Sequence, residues 1–183
     1  MVNKTRHSED TKEAYNKLAP AWNAKWQDRE SLLADEYQKF RGYCSPPARI
    51  LDVGCATGVD SRNFKIQGYD VVGIDFAPEM IRMAKMEVQG VEFKVMDMRH
   101  MEFPAGSFDA IWSCASFHNL DWTEASDALL EFRRVLRRDG ILFVTVKEGN
   151  ELRLDNGIST YRYKQEKLEE MLRGTGFEIQ EIY

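Results

Sequence analysis

Nothing in this sequence is long and apolar enough to cross a bilayer. Its densest apolar run, ILFVTV (141–146), falls far short of the ~20 residues that a spanning helix needs. The first ten residues, MVNKTRHSED, hold no apolar stretch and do not read as a signal peptide. Cysteine is scarce as well. Cys44, Cys55 and Cys114 are an odd number without a Cys-x-x-Cys pair, which argues against a disulfide framework or a structural zinc and points to reduced thiols in the cytoplasm. Basic charge is in the minority: 25 Lys and Arg against 30 Asp and Glu leave a net charge of −5, which disfavours a nucleic-acid partner. The dense basic patch RRVLRR (133–138) reads as a solvated helix face, favoured by the helix C-terminal dipole. Repeats, low-complexity segments and linkers are also missing, so residues 1–183 read as one domain.

What is present is an alternation. Apolar runs of strand length fall at 49–53, 70–74, 91–96, 108–114 and 140–146, and helical stretches fit between them at 58–67, 78–87 and 124–138. In the last helix, Leu129, Phe132 and Leu136 form the stripe that faces a sheet. Two helices, 10–19 and 29–41, precede the core, and SPP (45–47) breaks the chain before it. A helix at 164–173 and a last strand, FEIQEIY (177–183), close the pattern. Short apolar strands alternating with helices predict an α/β, doubly wound, mostly parallel sheet with helices on both faces, its core over 46–183.

In such a sheet ligands sit at the carboxyl ends of the strands. The first strand ends in DVGCATG, a loop of small residues, and three successive strands end near a carboxylate: Asp52, Asp75 and Asp97. Asp75 lies 21 residues after Gly54, the separation at which an acid reaches a ribose hydroxyl pair. A dinucleotide fingerprint would need glycines where this chain has Ala56 and Val59, and Asp52 would repel a pyrophosphate. The acids suit a nucleoside ligand that carries a cation.

The segments ILDVGCATG, VVGIDFAPEMIRMAK, VEFKVMDMRHMEFPAGSFDAIWSCASFHNL and LLEFRRVLRRDGILFVTV follow one another over 49–146. Together they resemble the successive motifs of the Rossmann-like (class I) S-adenosylmethionine-dependent methyltransferases, with Ala56 replacing the usual middle glycine. The resemblance implies S-adenosylmethionine as cofactor, S-adenosylhomocysteine as product, and no metal. It implies that Asp52 orders the loop and the methionine ammonium. Gly54, Cys55, Ala56 and Gly58 would let the backbone approach the ligand, and Asp75 would accept from the ribose hydroxyls. Phe76 and Met80 would flank the adenine, which Asp97 and the Met98 amide would read. Ser113 and Ala115 would contact the methionine end. Tyr15 and Trp22 would belong to an N-terminal helical lid over 1–45.

Methyl transfer from a sulfonium needs mainly proximity and alignment. A base is required only where the acceptor must lose a proton, and His118 in SFHNLDW is the candidate. The sequence has neither an Asn-Pro-Pro-Tyr-type segment nor a Pro-Cys nucleophile after the fourth strand, so a small-molecule acceptor is expected. Arg153, Tyr161, Arg162 and Tyr163 could line its pocket. The family sheet ends with an antiparallel seventh strand for which no sequence remains after Tyr183. The expectations are a shortened form, a sixth strand paired directly with the fifth, or an edge covered by a second copy or partner chain. A non-catalytic S-adenosylmethionine-binding module and, more weakly, a nicotinamide-dependent oxidoreductase remain as alternatives.

Overall fold

The computed structural model describes residues 4–26 and 29–183; residues 1–3 and 27–28 of the expected lid lie outside that description. Helix α1 spans Lys4–Lys25, well beyond the predicted 10–19; it runs through Pro20 and packs on the helix Pro78–Glu87 and the strand Ile158–Tyr163. The predicted helix 29–41 is two pieces, α2 (Arg29–Leu32) and α3 (Ala34–Tyr43), divided at Leu33. Then come β1 (Arg49–Val53), α4 (Val59–Ile66), β2 (Asp70–Asp75), α5 (Pro78–Glu87), β3 (Glu92–Val95) and β4 (Phe108–Ser113). A 3-10 turn at Phe117–Asn119 leads into α6 (Trp122–Val135). Asp121 and Glu124 form a capping box at the start of α6, satisfying helix N–H groups that would otherwise lack partners.

The sheet has the order β3-β2-β1-β4-β5, where β5 is Leu136–Val144, and every pairing in it is parallel. The predicted α/β architecture therefore holds, with β5 beginning four residues earlier than expected. On one face Leu129, Phe132 and Val135 of α6 pack on Leu51 and Ile111. On the other, Tyr37 and Phe40 of α3 and Phe64 of α4 enclose Trp112, which stacks between Tyr37 and Phe143. Arg134 from the basic patch has a structural role: it pairs with Glu131 and donates to the carbonyls of Met101 and Phe103.

Beyond β5 lies a small second sheet of order β6-β8-β7, built from β6 (Lys147–Glu148), β7 (Leu152–Asp155) and β8 (Ile158–Tyr163). Asn156-Gly157, both with positive φ (49° and 84°), make the two-residue turn between β7 and β8. Its Ser159 amide donates to Thr11 Oγ1 (3.1 Å), which fixes the hairpin on α1. Helix α7 (Gln165–Gly174) follows. The last predicted strand, 177–183, is not a strand. Glu181 pairs with Lys39 of α3 and Tyr183 lies under the same ammonium, so side-chain contacts to α3 replace main-chain pairing. Among the described residues β5 has no neighbour on its outer edge, and a groove of about 740 Å³ separates it from residues 176–183.

Candidate functional site

A cleft opens where β1 and β4 separate at their carboxyl ends, beneath α1. Gly54 and Ala56 form one wall, and the turn after β2 brings Asp75 and Phe76. The turn after β3 adds Asp97 and Met98, and Ala115 comes from the loop after β4. Tyr15 and Trp22 of α1 close the top, their rings edge-to-face at 5.7 Å, with Tyr15 also against Phe76 at 6.2 Å. Tyr15 and Asn119 share a hydrogen bond that ties the helix to the 3-10 turn. So closed, the cleft encloses about 70 Å³, well below the ~300 Å³ at which ligand pockets begin.

The two carboxylates in the cleft differ. Asp75 is buried, and the amides of Ala56 (3.0 Å) and Ala77 (2.9 Å) donate to its two oxygens. Burial dominates over those bonds and pushes its pKa up to about 6. Asp97 is more exposed. Burial works against its charge, but hydrogen bonds from Arg99 outweigh burial and hold it below the ordinary carboxylate range.

Several other expected site residues do not line the cleft itself. Asp52 is buried and accepts from Ser61 Oγ of α4 (2.5 Å); burial and the nearby Asp60 charge push its carboxyl up. Through Ser61 it ties the end of β1 to the first turn of α4. Cys55 is buried against Gly73, and Met80 is buried against Ala19 and Ala77. Ser113 is buried, its hydroxyl 3.0 Å from that of Ser116. Gly58 is needed for packing: it has φ 83°, and a Cβ there would come within 2.8 Å of the Phe93 ring.

The four residues expected around the acceptor lie on the β7–β8 hairpin and do not line the cleft. The Tyr163 hydroxyl is buried and donates to the Leu120 carbonyl (2.5 Å), Arg162 donates to the Glu148 carbonyl (2.7 Å), Tyr161 packs at the core edge, and Arg153 is exposed beside Glu151. His118 is buried in the 3-10 turn outside the cleft, and burial lowers its pKa to about 4, with the Lys147 charge adding to the effect. It is neutral at pH 7 and a weak base. The cleft also contains residues that the motifs did not single out: Thr11, Arg99, Ser116 and Asn119. Only Arg99 left a trace, as the cation two positions after the strand-end Asp97.

A model of the methyltransferase domain family matches residues 51–144, just over half of the chain. A putative methyltransferase of Bacillus subtilis, YqeM, is 36% identical over 104 residues, which are 54% of this chain and 42% of that protein. The malonyl-[acyl-carrier protein] O-methyltransferase of Yersinia pestis is 34% identical over 103 residues, 55% of this chain and 38% of that one. This chain thus spans about two fifths of the length of these curated relatives. Among solved structures, the 1,6-didemethyltoxoflavin-N1-methyltransferase of Burkholderia thailandensis, with S-adenosylhomocysteine bound, superposes with a TM-score of 0.76. It is 20% identical, and the match covers 96% of this chain and 80% of that one.

Proposed function

Since this chain belongs to the Rossmann-like (class I) S-adenosylmethionine-dependent methyltransferase family, we propose that it binds S-adenosylmethionine in the cleft beneath α1 and methylates a small-molecule acceptor. The observation that carries the reading is Asp75. Two backbone amides fix both of its oxygens at the lip of the Gly54–Ala56 turn, with lone pairs left for a ribose diol. Asp97 on the neighbouring strand end, held ionised, is suited to the exocyclic amino group of adenine. Phe76 and the Met98 amide complete the base end, and Ala56 and Ala115 offer backbone to the amino-acid tail. Two carboxylates in one cleft disfavour a pyrophosphate, and with it the nicotinamide alternative. When bound, the sulfonium supplies a methyl group already activated for in-line displacement. The chain's own part is to hold the reactants aligned and dry, with α1 covering the cleft.

The position of His118 favours an acceptor that is already deprotonated or needs no base. It equally favours a second reading, a non-catalytic binding module; product formation across a panel of acceptors separates the two. The open edge of β5 is left for a second copy or partner chain. No described helix is long and apolar enough to cross a membrane; the placement in the cytoplasm rests on the three free, buried cysteines.

Calorimetric titration with S-adenosylhomocysteine from pH 5 to 8 tests the site. The diol needs the ionised acceptor, and the Asp75 pKa of about 6 sets the midpoint. Affinity therefore holds above that pH and falls as pH drops through it, approaching about tenfold per pH unit. Asp75→Asn removes this dependence and costs about 1.5–3 kcal/mol of binding at pH 7.5. An unchanged affinity in folded Asp75→Asn would end the assignment.

A further inference from the structure

The cation in the cleft is bonded on two sides. Arg99 Nε lies 2.9 and 3.0 Å from the two oxygens of Asp97, Nη2 adds a further contact to Oδ2, and the Arg99 amide donates to Oδ1 (2.9 Å). Its other arm, Nη1, pairs with Glu124 Oε1 in the first turn of α6. Glu124 Oε2 accepts the Asp121 amide (3.0 Å), and Asp121 Oδ1 accepts the amides of Thr123 (2.8 Å) and Glu124 (2.9 Å). A continuous set of bonds thus joins the end of β3 to the cap of α6. Immediately before that cap come Asn119 and Leu120, which line the cleft. The Arg99 and Glu124 side chains are only 20% and 19% exposed, so water screens this link less than an ordinary surface pair.

We propose that Arg99 is a positioning residue that sets the base selectivity of the cleft: it locks the orientation of the Asp97 carboxylate and passes that constraint to the α6 cap and the 117–120 turn. The inference rests on reading the cleft as an S-adenosylmethionine site. A carboxylate only accepts hydrogen bonds, so a locked Asp97 favours a base bearing an amino group and repels one bearing an oxo group there. A planar fork on both oxygens removes the rotation that would let the carboxylate turn away. Substituting glutamine removes the fork and the charge, whereas lysine keeps the charge and one bond.

The test compares binding of S-adenosylhomocysteine and S-inosylhomocysteine, which carries oxo in place of the amino group, to the wild type, Arg99→Gln and Arg99→Lys. Wild type is expected to prefer the adenosyl compound by at least about tenfold, and Arg99→Gln to lose about tenfold of that preference, the worth of one hydrogen bond. Arg99→Lys, which keeps the charge but not the fork, should retain only part of it. Amide exchange over 117–124 should slow on adding S-adenosylhomocysteine to wild type and Arg99→Lys, and not to Arg99→Gln. Equal preference in wild type and folded Arg99→Gln overturns the proposal, leaving Arg99 a purely structural ion pair. If Arg99→Gln does not fold, Arg99→Lys carries the test: a preference reduced below that of wild type supports the proposal, and an unchanged or larger preference overturns it. Wild type that binds S-adenosylhomocysteine but does not prefer it overturns this inference alone; wild type that binds neither compound overturns the cofactor reading and this inference with it.

Discussion

Replacing Asp60 with alanine should cost about 3–5 kcal/mol of folding stability, the penalty for removing one partner of a buried ion pair. Asp60 lies in the first turn of α4 and is buried. Arg29 Nε (2.6 Å) and Nη2 (2.9 Å) donate to its two oxygens, Tyr37 OH donates to Oδ1 (2.6 Å), and Trp112 Nε1 donates to Oδ2 (2.8 Å). One carboxylate therefore satisfies a guanidinium, a phenol and an indole from three different elements. Without it the Arg29 charge and two buried donors lose their acceptor together, in the low-dielectric space where an unpaired group costs most. A domain of this size has only ~5–15 kcal/mol to lose.

Urea unfolding followed by tryptophan fluorescence reads the effect, since Trp112 is fully buried in the same cluster. Asp60→Asn, which retains an acceptor oxygen but not the charge, should fall between wild type and alanine and serves where alanine does not fold. A loss below about 1 kcal/mol for Asp60→Ala would mean that water or a rearranged side chain replaces the carboxylate, contrary to the packing around Trp112. The cluster also bears on the cleft. Arg29 Nη2 lies 3.4 Å from the carbonyl of Cys114, next to Ala115 in the cleft wall. S-adenosylhomocysteine affinity should fall together with stability.

The sheet was legible because apolar runs separated by helical periods leave few alternatives to parallel pairing. Asp75 and Asp97 could be brought to one cleft for the same reason, since strand ends in a parallel sheet share an edge. Elements that depend on a partner were not legible. FEIQEIY has the composition of a strand, but a strand requires a neighbour, and residues 177–183 meet the side chains of α3 instead. The β7–β8 hairpin carries an Asn-Gly turn signal, but the polar residues on either side of it mask the strand pattern. Tyr163 fitted a substrate-pocket pattern, and its burial on the Leu120 carbonyl depends on that hairpin folding back over the 3-10 turn. Polarity alone could not separate Asp52, which braces α4, from Asp75, which faces the cleft.

The loop glycine makes the same point and yields the other large expected effect. The family resemblance reserves a small residue at Gly54 for the approach of the ligand. The structure shows that the space beside Gly54 is already filled: a Cβ there would lie 2.2 Å from Ser116 Cβ and 2.7 Å from its Oγ, and φ is +72°. Ser116 cannot simply turn away, because its hydroxyl donates to the Val53 carbonyl (2.7 Å). Gly54→Val should therefore destabilise the fold by about 2–5 kcal/mol, combining overpacking with left-handed strain, and abolish S-adenosylhomocysteine binding because both cleft walls shift. A double-mutant cycle isolates the collision. Gly54→Ala and Ser116→Gly should each destabilise, whereas together they should lose less than the sum, with about 1–2 kcal/mol of coupling and residual strain at position 54. Additive losses would show that Ser116 yields to the added methyl. The small residue at 54 would then be reserved for the ligand, as the sequence alone suggested.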